Sequence, residues 1–306
     1  MKTFYSNGKL LISGEYLVLD HTVALALPTK KFGQFLEIQN HDKNELLWQS
    51  FNIEKEAWFS AIFESNSLEI LKTDHVSVAT TLQNILKVAK NLNPFFLKEN
   101  QGLKVTTRLT FPNHWGLGTS STLINNIAHW AQINPFELLN KSFGGSGYDI
   151  ACANYNTAIT YQRNGIQPLV ASVDFNPTFK HQLFFVYSNQ KQNSKQGISL
   201  YKNIKTDKTP YHQKVNTLTY KMIEAQTLSQ FEDLMNQHET LIGELLGIEP
   251  VKDKLFKDYV GSIKSLGAWG GDFMLVTGTA TYVKNYFNSK GYHTILSFDE
   301  MIGGSS

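Results

Sequence analysis

The 306-residue sequence contains one cysteine, Cys152, and no apolar run near the roughly 20 residues that a membrane helix requires. A single cysteine excludes an intrachain disulfide framework and any all-cysteine metal site. The charge balance is also small, because 28 Lys and Arg oppose 26 Asp and Glu, and this does not indicate nucleic-acid binding. We therefore expect a soluble, cytoplasmic protein, monomeric or homodimeric, with neither a nucleic-acid nor a membrane partner.

The composition indicates a globular protein of two domains. Hydrophobic residues make up 42% of the chain and charged residues 18%, unlike a disordered or collagen-like sequence. Domains usually contain about 100 to 200 residues, so this length suits two of them. We place the boundary near residue 175, which gives domains of residues 1–175 and 176–306.

In the N-terminal half, hydrophobic periodicity predicts strands followed by a helix. Residues 10–27 read as two short apolar strands, and Pro28 ends the run. Apolar residues at helical spacing from 78 to 89 predict a helix that Thr73 or Asp74 can cap.

The C-terminal half resembles a split β-α-β arrangement. Its pattern predicts a strand at 183–187, a long helical region over about 214–246 and a helix over about 251–265. A strand, a helix and a strand follow, and residues 303–306 read as a flexible tail.

A strand over residues 103–111 leads into the segment 112–121, PNHWGLGTSS, and a helix is predicted from about Ser120. Two glycines permit a tight turn, and the first-turn amides of a helix can bind phosphate. Ser120 or Ser121 could then ligate magnesium. The alternative is an ordinary turn with a hydroxyl residue as the helix cap. The segment is neither a Walker loop, GxxxxGK[ST], nor a dinucleotide-binding loop, GxGxxG.

A second glycine cluster, at residues 144–147, presents Asp149 near the start of a short predicted helix. A carboxylate near an acceptor oxygen and a cation such as Lys9 would suit phosphoryl transfer. In isolation, Asp149 is equally well explained as a helix cap, and Lys9 is better explained as a surface lysine. A third glycine-rich turn, at 266–273, lies between a predicted helix and strand, where a C-cap glycine is ordinary.

These segments, in this order, resemble the motifs of the GHMP kinase superfamily, the small-molecule kinases for galactose, homoserine, mevalonate and phosphomevalonate. The first motif is GKLLISGEY at residues 8–16, the second is residues 112–121 in the pattern PxxxGLGSS, and the third, residues 267–272, is similar to GAGGGD. GKLLISGEYLVL and GSGYDIA are most similar to the phosphomevalonate kinase branch.

The resemblance implies an α+β, two-domain GHMP kinase fold, with a ribosomal S5 domain 2-like N-terminal domain and a ferredoxin-like C-terminal domain. It also implies a phosphotransferase that uses ATP and Mg²⁺. The acceptor would be a small molecule of the mevalonate pathway of isoprenoid biosynthesis, 5-phosphomevalonate first and mevalonate second. Another small alcohol as acceptor remains an alternative.

Matching positions carry the implied roles. Asp149 would be the catalytic carboxylate and Lys9 its cationic neighbour. Ser120 would ligate magnesium, with Glu137 as a second candidate, although a glutamate just after Pro135 can equally complement a helix dipole. The nucleotide-binding residues would be Pro112, Gly116, Leu117, Gly118, Thr119, Ser120 and Ser121. The residues towards the acceptor would be Glu15, Tyr16, His21, Gly147, Gly270 and Gly271, although a buried tyrosine or a surface histidine explains two of these equally well.

Two positions depart from the family pattern. Thr119 replaces the usual first serine of the second motif, which is a mild chemical change. Trp269 stands where the third motif usually has glycine, so it could fill part of the site or narrow the acceptor pocket. An altered acceptor, or a nucleotide-binding homologue without catalysis, therefore remains open.

Overall fold

The computed structural model describes residues 1–98, 102–190, 194–269 and 271–303, and the chain divides into two compact units. The first unit comprises Met1–Gly8, Phe32–Asn113 and Leu117–Asn154, and the second comprises Lys9–Lys31, His114–Gly116 and Tyr155–Ser306. The boundary predicted near residue 175 falls inside the second unit. Of the tail predicted at 303–306, residues 304–306 lie outside the described part.

The first unit is built on a largely antiparallel sheet. Its strands are β1 (Lys2–Ser13), which continues into the second unit, the C-terminal part of β2 (Ala24–His41), β3 (Glu45–Phe51), β4 (Ala57–Glu64), β5 (Ile70–Thr73) and β6 (Gly102–Leu109). The strand order is β5-β4-β3-β6-β2, and β1 also pairs with β2. The β3–β6 pair is parallel, and β4 pairs antiparallel with both β3 and β5.

The described residues of the first unit also form the helices α1 (Val76–Leu92), α2 (Thr119–Ala131), α3 (Pro135–Ser142) and α4 (Tyr148–Asn154). Their apolar faces join the sheet in one core, which includes Trp48, Phe63, Leu86, Ile127 and Ile150. The helices predicted at α1 and α2 are confirmed, and the buried positions of α1 follow helical spacing, whereas α2 is buried over most of its circumference. Helix α2 packs against α4 within this core.

The elements of the second unit in chain order, after the part of β2 that it contains, are β7 (Ile159–Gln162), β8 (Leu169–Ser172), β9 (Leu183–Tyr187), α5 (Ser194–Lys202), α6 (Thr209–Glu224), α7 (Leu228–Leu246), α8 (Val251–Leu255), β10 (Ile263–Ser265), β11 (Phe273–Thr277), α9 (Ala280–Ser289), β12 (Ile295–Ser297) and α10 (Phe298–Met301). Four of these strands form an antiparallel sheet with the order β10-β11-β9-β12. Strands β7 and β8 extend from residues 24–26 of β2. None of the helices in the described ranges is both long and apolar enough to cross a bilayer.

The prediction that Pro28 ends a strand is wrong, because β2 runs through Pro28 to His41. Proline lacks the amide hydrogen that a strand interior needs. Pro28 lies between residues 24–26, which pair with β7, and residues 34–41, which pair with β6. The proline thus occupies the stretch where the strand changes partners.

The helix predicted over 251–265 is also wrong beyond Leu255. Gly261 has φ +119°, which interrupts the helical pattern, and residues 263–265 pair with β11 as strand β10. The region predicted as helical over 214–246 is two helices, with Thr227 capping the second through a hydrogen bond from the Gln230 amide. The N-cap residue of α1 is His75, without a side-chain cap, rather than Thr73 or Asp74.

Candidate active site

The second motif forms a tight loop at the start of α2. Gly116 and Gly118 have φ of +68° and +94°, a region that favours glycine, and Gly118 is the N-cap residue of α2. No side chain caps this helix, so its first-turn amides are available to a ligand. Leu117 is buried and Pro112 is half-buried, so both anchor the loop.

The hydroxyl groups of this loop have different environments. Ser120 is exposed, and its hydroxyl makes no hydrogen bond to any residue that the structure describes. The buried Ser121 donates to the Gly118 carbonyl at 3.2 Å, and Thr119 donates to Asn113 Oδ1 at 3.3 Å. Ser120 is therefore the hydroxyl that can act as an external ligand.

Asp149 lies in the first turn of α4, in the first unit, after a turn built from glycines with positive φ. The carboxylate is half-buried, and its Oδ1 accepts a hydrogen bond from the Ile150 amide at 3.2 Å. Gly147 is buried and has φ +91°. Its carbonyl accepts a hydrogen bond from the Ala151 amide, in the first turn of the helix. Since α4 packs on α2, the short helix that carries Asp149 is fixed in this unit.

Glu137 lies in the first turn of α3, where Asn134 caps the helix. Its carboxylate forms an ion pair of 2.8 Å with Lys141, one turn along the same helix. Over the described ranges, no three His, Cys, Asp or Glu side chains converge in a way that could hold a metal ion.

Lys9 and Asp272 both contact Gly116 in the second unit. The Lys9 ammonium donates to the Gly116 carbonyl at 2.8 Å, across 107 residues of sequence. The Asp272 carboxylate lies against Gly116 so closely that a Cβ atom at position 116 would overlap it. The first and third motifs thus both fix the backbone of Gly116.

Glu15, predicted to lie towards the acceptor, is completely buried. Its Oε1 is ion-paired with Lys264 of β10, which is also fully buried. His238 of α7 places Nε2 3.3 Å from Glu15 Oε2, and the same nitrogen accepts the Gly14 amide hydrogen at 3.1 Å. The Lys264 ammonium lies 3.7 Å from Glu239 and donates to the Ser265 carbonyl. We call Glu15, His238, Glu239 and Lys264 the buried charge cluster.

Burial controls protonation in the buried charge cluster. It lowers the pKa of His238 well below the ordinary value, with the Lys264 charge adding to the effect, so the imidazole is neutral. Burial raises the pKa of Glu239 to about 8 against the opposing effect of Lys264, so this carboxyl is largely protonated at neutral pH. Burial also raises the pKa of Glu15, while direct contact with Lys264 favours its ionised form.

Tyr16 follows Glu15 and has φ +62° and ψ −48°. Such a backbone conformation costs a non-glycine residue on the order of 1–3 kcal/mol and persists only where surrounding contacts impose it. The Tyr16 ring stacks on Tyr201 with centroids 5.9 Å apart, and its hydroxyl accepts the Trp269 amide hydrogen at 3.1 Å. Gly197 of α5 also packs against this hydroxyl.

Trp269, the departure in the third motif, is 4% exposed and belongs to an apolar core with Tyr16, Leu218 and Leu241. Its side chain therefore anchors the third motif inside the second unit. His21 is exposed, has φ +69°, and its Nδ1 lies 2.6 Å from the Arg163 carbonyl. Gly271 is buried, and Gly270 lies outside the described residues.

The structure brings Lys9, Glu15, Tyr16 and Gly116 together in the second unit, and it places residues 117–121, Glu137 and Asp149 in the first. Sequence reasoning missed His238, Glu239 and Lys264. A Glu-Lys pairing 249 residues apart leaves no local signal. The only available hint was the lysine just ahead of the third motif.

No family model matches the chain, and no curated protein matches it. Solved structures do. Methanococcus jannaschii mevalonate kinase is 14% identical, with 97% of this chain and 96% of that chain covered and a TM-score of 0.71. Streptococcus pneumoniae phosphomevalonate kinase, in complex with phosphomevalonate and AMPPNP, is 14% identical, with 97% and 100% covered and a TM-score of 0.71. Lactococcus lactis galactokinase with galactose is 13% identical, with 100% and 94% covered and a TM-score of 0.69.

These neighbours are GHMP kinases, and the predicted α+β fold class is confirmed: the chain has the GHMP kinase fold over nearly its whole length.

Proposed function

We propose that this protein is an ATP-dependent phosphotransferase of the GHMP type that phosphorylates 5-phosphomevalonate to the diphosphate. The observation that carries the proposal is the glycine-built loop at the uncapped start of α2, in a chain with the GHMP kinase fold. Backbone amides and the helix dipole at this position suit a nucleotide triphosphate.

The proposed roles follow from the environments of the side chains. The amides at the start of α2 bind the β- and γ-phosphates, and the exposed Ser120 hydroxyl is an oxygen ligand for Mg²⁺. Magnesium, when bound, neutralises the phosphate charge during transfer. Glu137 is the weaker candidate ligand, because its carboxylate is already paired with Lys141.

Asp149 is the proposed catalytic carboxylate. It is half-buried and has no ion-pair partner among the residues described, so it can orient the acceptor oxygen for in-line attack. Lys9 supplies a positive charge beside Gly116 and fixes the carbonyl of that residue. Most of the rate enhancement would come from positioning and charge stabilisation.

The acceptor is the part of the proposal that needs the most direct test. We would measure ADP release from magnesium-ATP with phosphomevalonate, mevalonate, homoserine or galactose, and with no acceptor. Phosphorus NMR would identify the product. A rate with phosphomevalonate far above the others supports the proposal, and a preference for mevalonate moves the reaction one step earlier in the pathway.

Binding without turnover would contradict the proposal. ATP could raise the melting temperature while none of the four acceptors gives ADP above the blank. The protein would then be a nucleotide-binding homologue without catalysis, or a kinase for another acceptor.

A further inference from the structure

Within the second unit, the first motif contacts the third motif and also the strand that precedes it. The Tyr16 hydroxyl accepts a hydrogen bond from the Trp269 amide of the third motif. Glu15 forms a buried ion pair with Lys264 of β10, three residues before Gly267. Both motifs also contact Gly116, through Lys9 and Asp272. The relative position of the two motifs therefore affects the residue that begins the glycine loop.

The residues Gly14, Glu15 and Tyr16, here called the first-motif turn, need this support. Gly14 has φ +87°, and a Cβ atom there would come within 2.9 Å of Ala24 Cβ. Tyr16 has the strained backbone described above. Inside the turn, the Val18 amide bonds to the Gly14 carbonyl at 2.9 Å and the Leu17 amide to the Glu15 carbonyl at 2.7 Å.

Contacts from β10 and α7 hold the turn from its buried side. Strand β10 contributes Lys264, which pairs with Glu15. Helix α7 contributes His238, which accepts the Gly14 amide hydrogen, and the residue after it, Glu239, lies near Lys264. Because Glu15 has no exposed surface, its carboxylate reaches Lys264 and not a ligand from solvent.

We propose that Glu15 and Lys264 are positioning residues of the reaction: their buried ion pair fixes the first-motif turn against β10 and thereby sets the geometry with which Tyr16 and the third motif meet. This inference rests on the proposed function, and it replaces direct acceptor contact as the role of Glu15. Neither residue acts on the reacting atoms.

Removal of one charge and removal of both have different consequences. Glu15→Gln leaves the buried Lys264 ammonium with only the more distant Glu239 carboxyl, at 3.7 Å, and Lys264→Met leaves a buried carboxylate without its cation, so each single variant should lose stability. The double variant Glu15→Gln/Lys264→Met buries neither charge and should regain most of that stability. If the ion pair only stabilises the fold, the double variant should regain activity as well as stability.

The positioning role predicts the opposite. In the double variant, kcat/KM for the acceptor should remain at least about 10-fold below wild type, and amide exchange over residues 14–19 should be at least about 10-fold faster. Exchange over β11 should stay unchanged. Wild-type kcat/KM or wild-type exchange over 14–19 in the folded double variant would overturn the proposal.

Two further variants complete the experiment. Glu15→Asp keeps the charge but withdraws the carboxylate by one methylene, so it should lose activity while remaining folded; wild-type activity in it would count against the proposal. Glu249→Gln/Lys257→Met removes an exposed ion pair of 4.0 Å in the same unit and should change neither readout. If the wild-type protein phosphorylates no acceptor, the proposed function fails, and the exchange over 14–19 alone decides the role of the pair.

Discussion

The hydroxyl oxygen of Tyr16 accepts a hydrogen bond of 3.1 Å from the backbone amide of Trp269, a residue 253 positions further along the chain. This contact joins a strained residue of the first motif to the residue that departs from the GHMP pattern in the third. The tryptophan is buried in the same core as Tyr16. Trp269 therefore contacts the first motif in two ways: its amide bonds to the Tyr16 hydroxyl, and its side chain shares a core with Tyr16.

The fit around the Tyr16 hydroxyl can be tested with Gly197→Ala. A helical Gly→Ala change ordinarily adds roughly 1 kcal/mol of stability. Here the new methyl carbon would lie 2.6 Å from the Tyr16 hydroxyl oxygen, so we expect a loss of about 1–3 kcal/mol instead. Urea denaturation measures the change.

Tyr16→Phe supplies the matched control, because it removes the oxygen that the methyl group meets. Alone it should cost about 0.5–1.5 kcal/mol for the lost hydrogen bond. Added to Gly197→Ala it should restore part of the stability, so the two effects should be far from additive. Additive effects would mean that Gly197 and Tyr16 do not meet in solution.

Asp149→Asn should lower turnover by about 100-fold or more while leaving the melting temperature nearly unchanged, because the half-buried carboxylate makes no ion pair with a described residue. Steady-state kinetics and thermal unfolding check both parts. The exposed Asp233 gives the control variant Asp233→Asn, which should behave as wild type. Unchanged turnover in Asp149→Asn would remove Asp149 from the mechanism.

Ser120→Ala and Ser121→Ala should differ in kind. Ser120 is the exposed hydroxyl, so its loss should raise the Mg²⁺ concentration needed for half-maximal rate and lower kcat by about 10-fold or more. Ser121 donates inside the helix turn, so its loss should mainly reduce stability, by about 1 kcal/mol. Magnesium titrations of both variants test this, and equal responses would contradict the assignment of Ser120.

Glu239→Gln should flatten the dependence of stability on pH. The folded protein keeps the proton of this carboxyl up to a pKa of about 8, whereas the ordinary value is 4.5. The folded state thus binds more protons between these values, and its stability falls as pH rises through that window, by up to about 1.4 kcal/mol per pH unit.

The comparison is best made between pH 7 and 8, where His238 is neutral in the folded protein and mostly neutral in the unfolded chain, because its ordinary pKa is 6.5. Urea denaturation of wild type and Glu239→Gln should give curves that diverge as pH rises, with the variant the more stable. Parallel curves would show that Glu239 is already ionised in the folded protein.

Local pattern predicted a good part of this fold. Helical spacing located α1 and α2, and glycines next to hydroxyl residues located the loop before α2, because both signals lie within a few neighbouring residues. The pattern failed where tertiary contacts decide. Lys264 falls in the helix predicted over about 251–265, yet it is a fully buried strand residue whose charge is paired with Glu15.

The site residues also fall into those that the sequence identifies and those that it does not. The motif residues are identifiable by their order along the chain, and their roles stay predictions that the kinetic tests address. That Glu15 faces the interior could not be read from the sequence, since its partners on α7 and β10 are more than 200 residues away.

The packing of Asp272 on Gly116 has a genetic consequence. Every codon that replaces glycine adds at least a Cβ atom, and at position 116 that atom would overlap the Asp272 carboxylate. In a selection for function, position 116 should therefore tolerate no single substitution. If Gly116 is replaced by alanine, second-site suppressors should replace Asp272 with a smaller residue, which makes room for the added Cβ atom. Substitutions at positions 116 and 272 should therefore occur together.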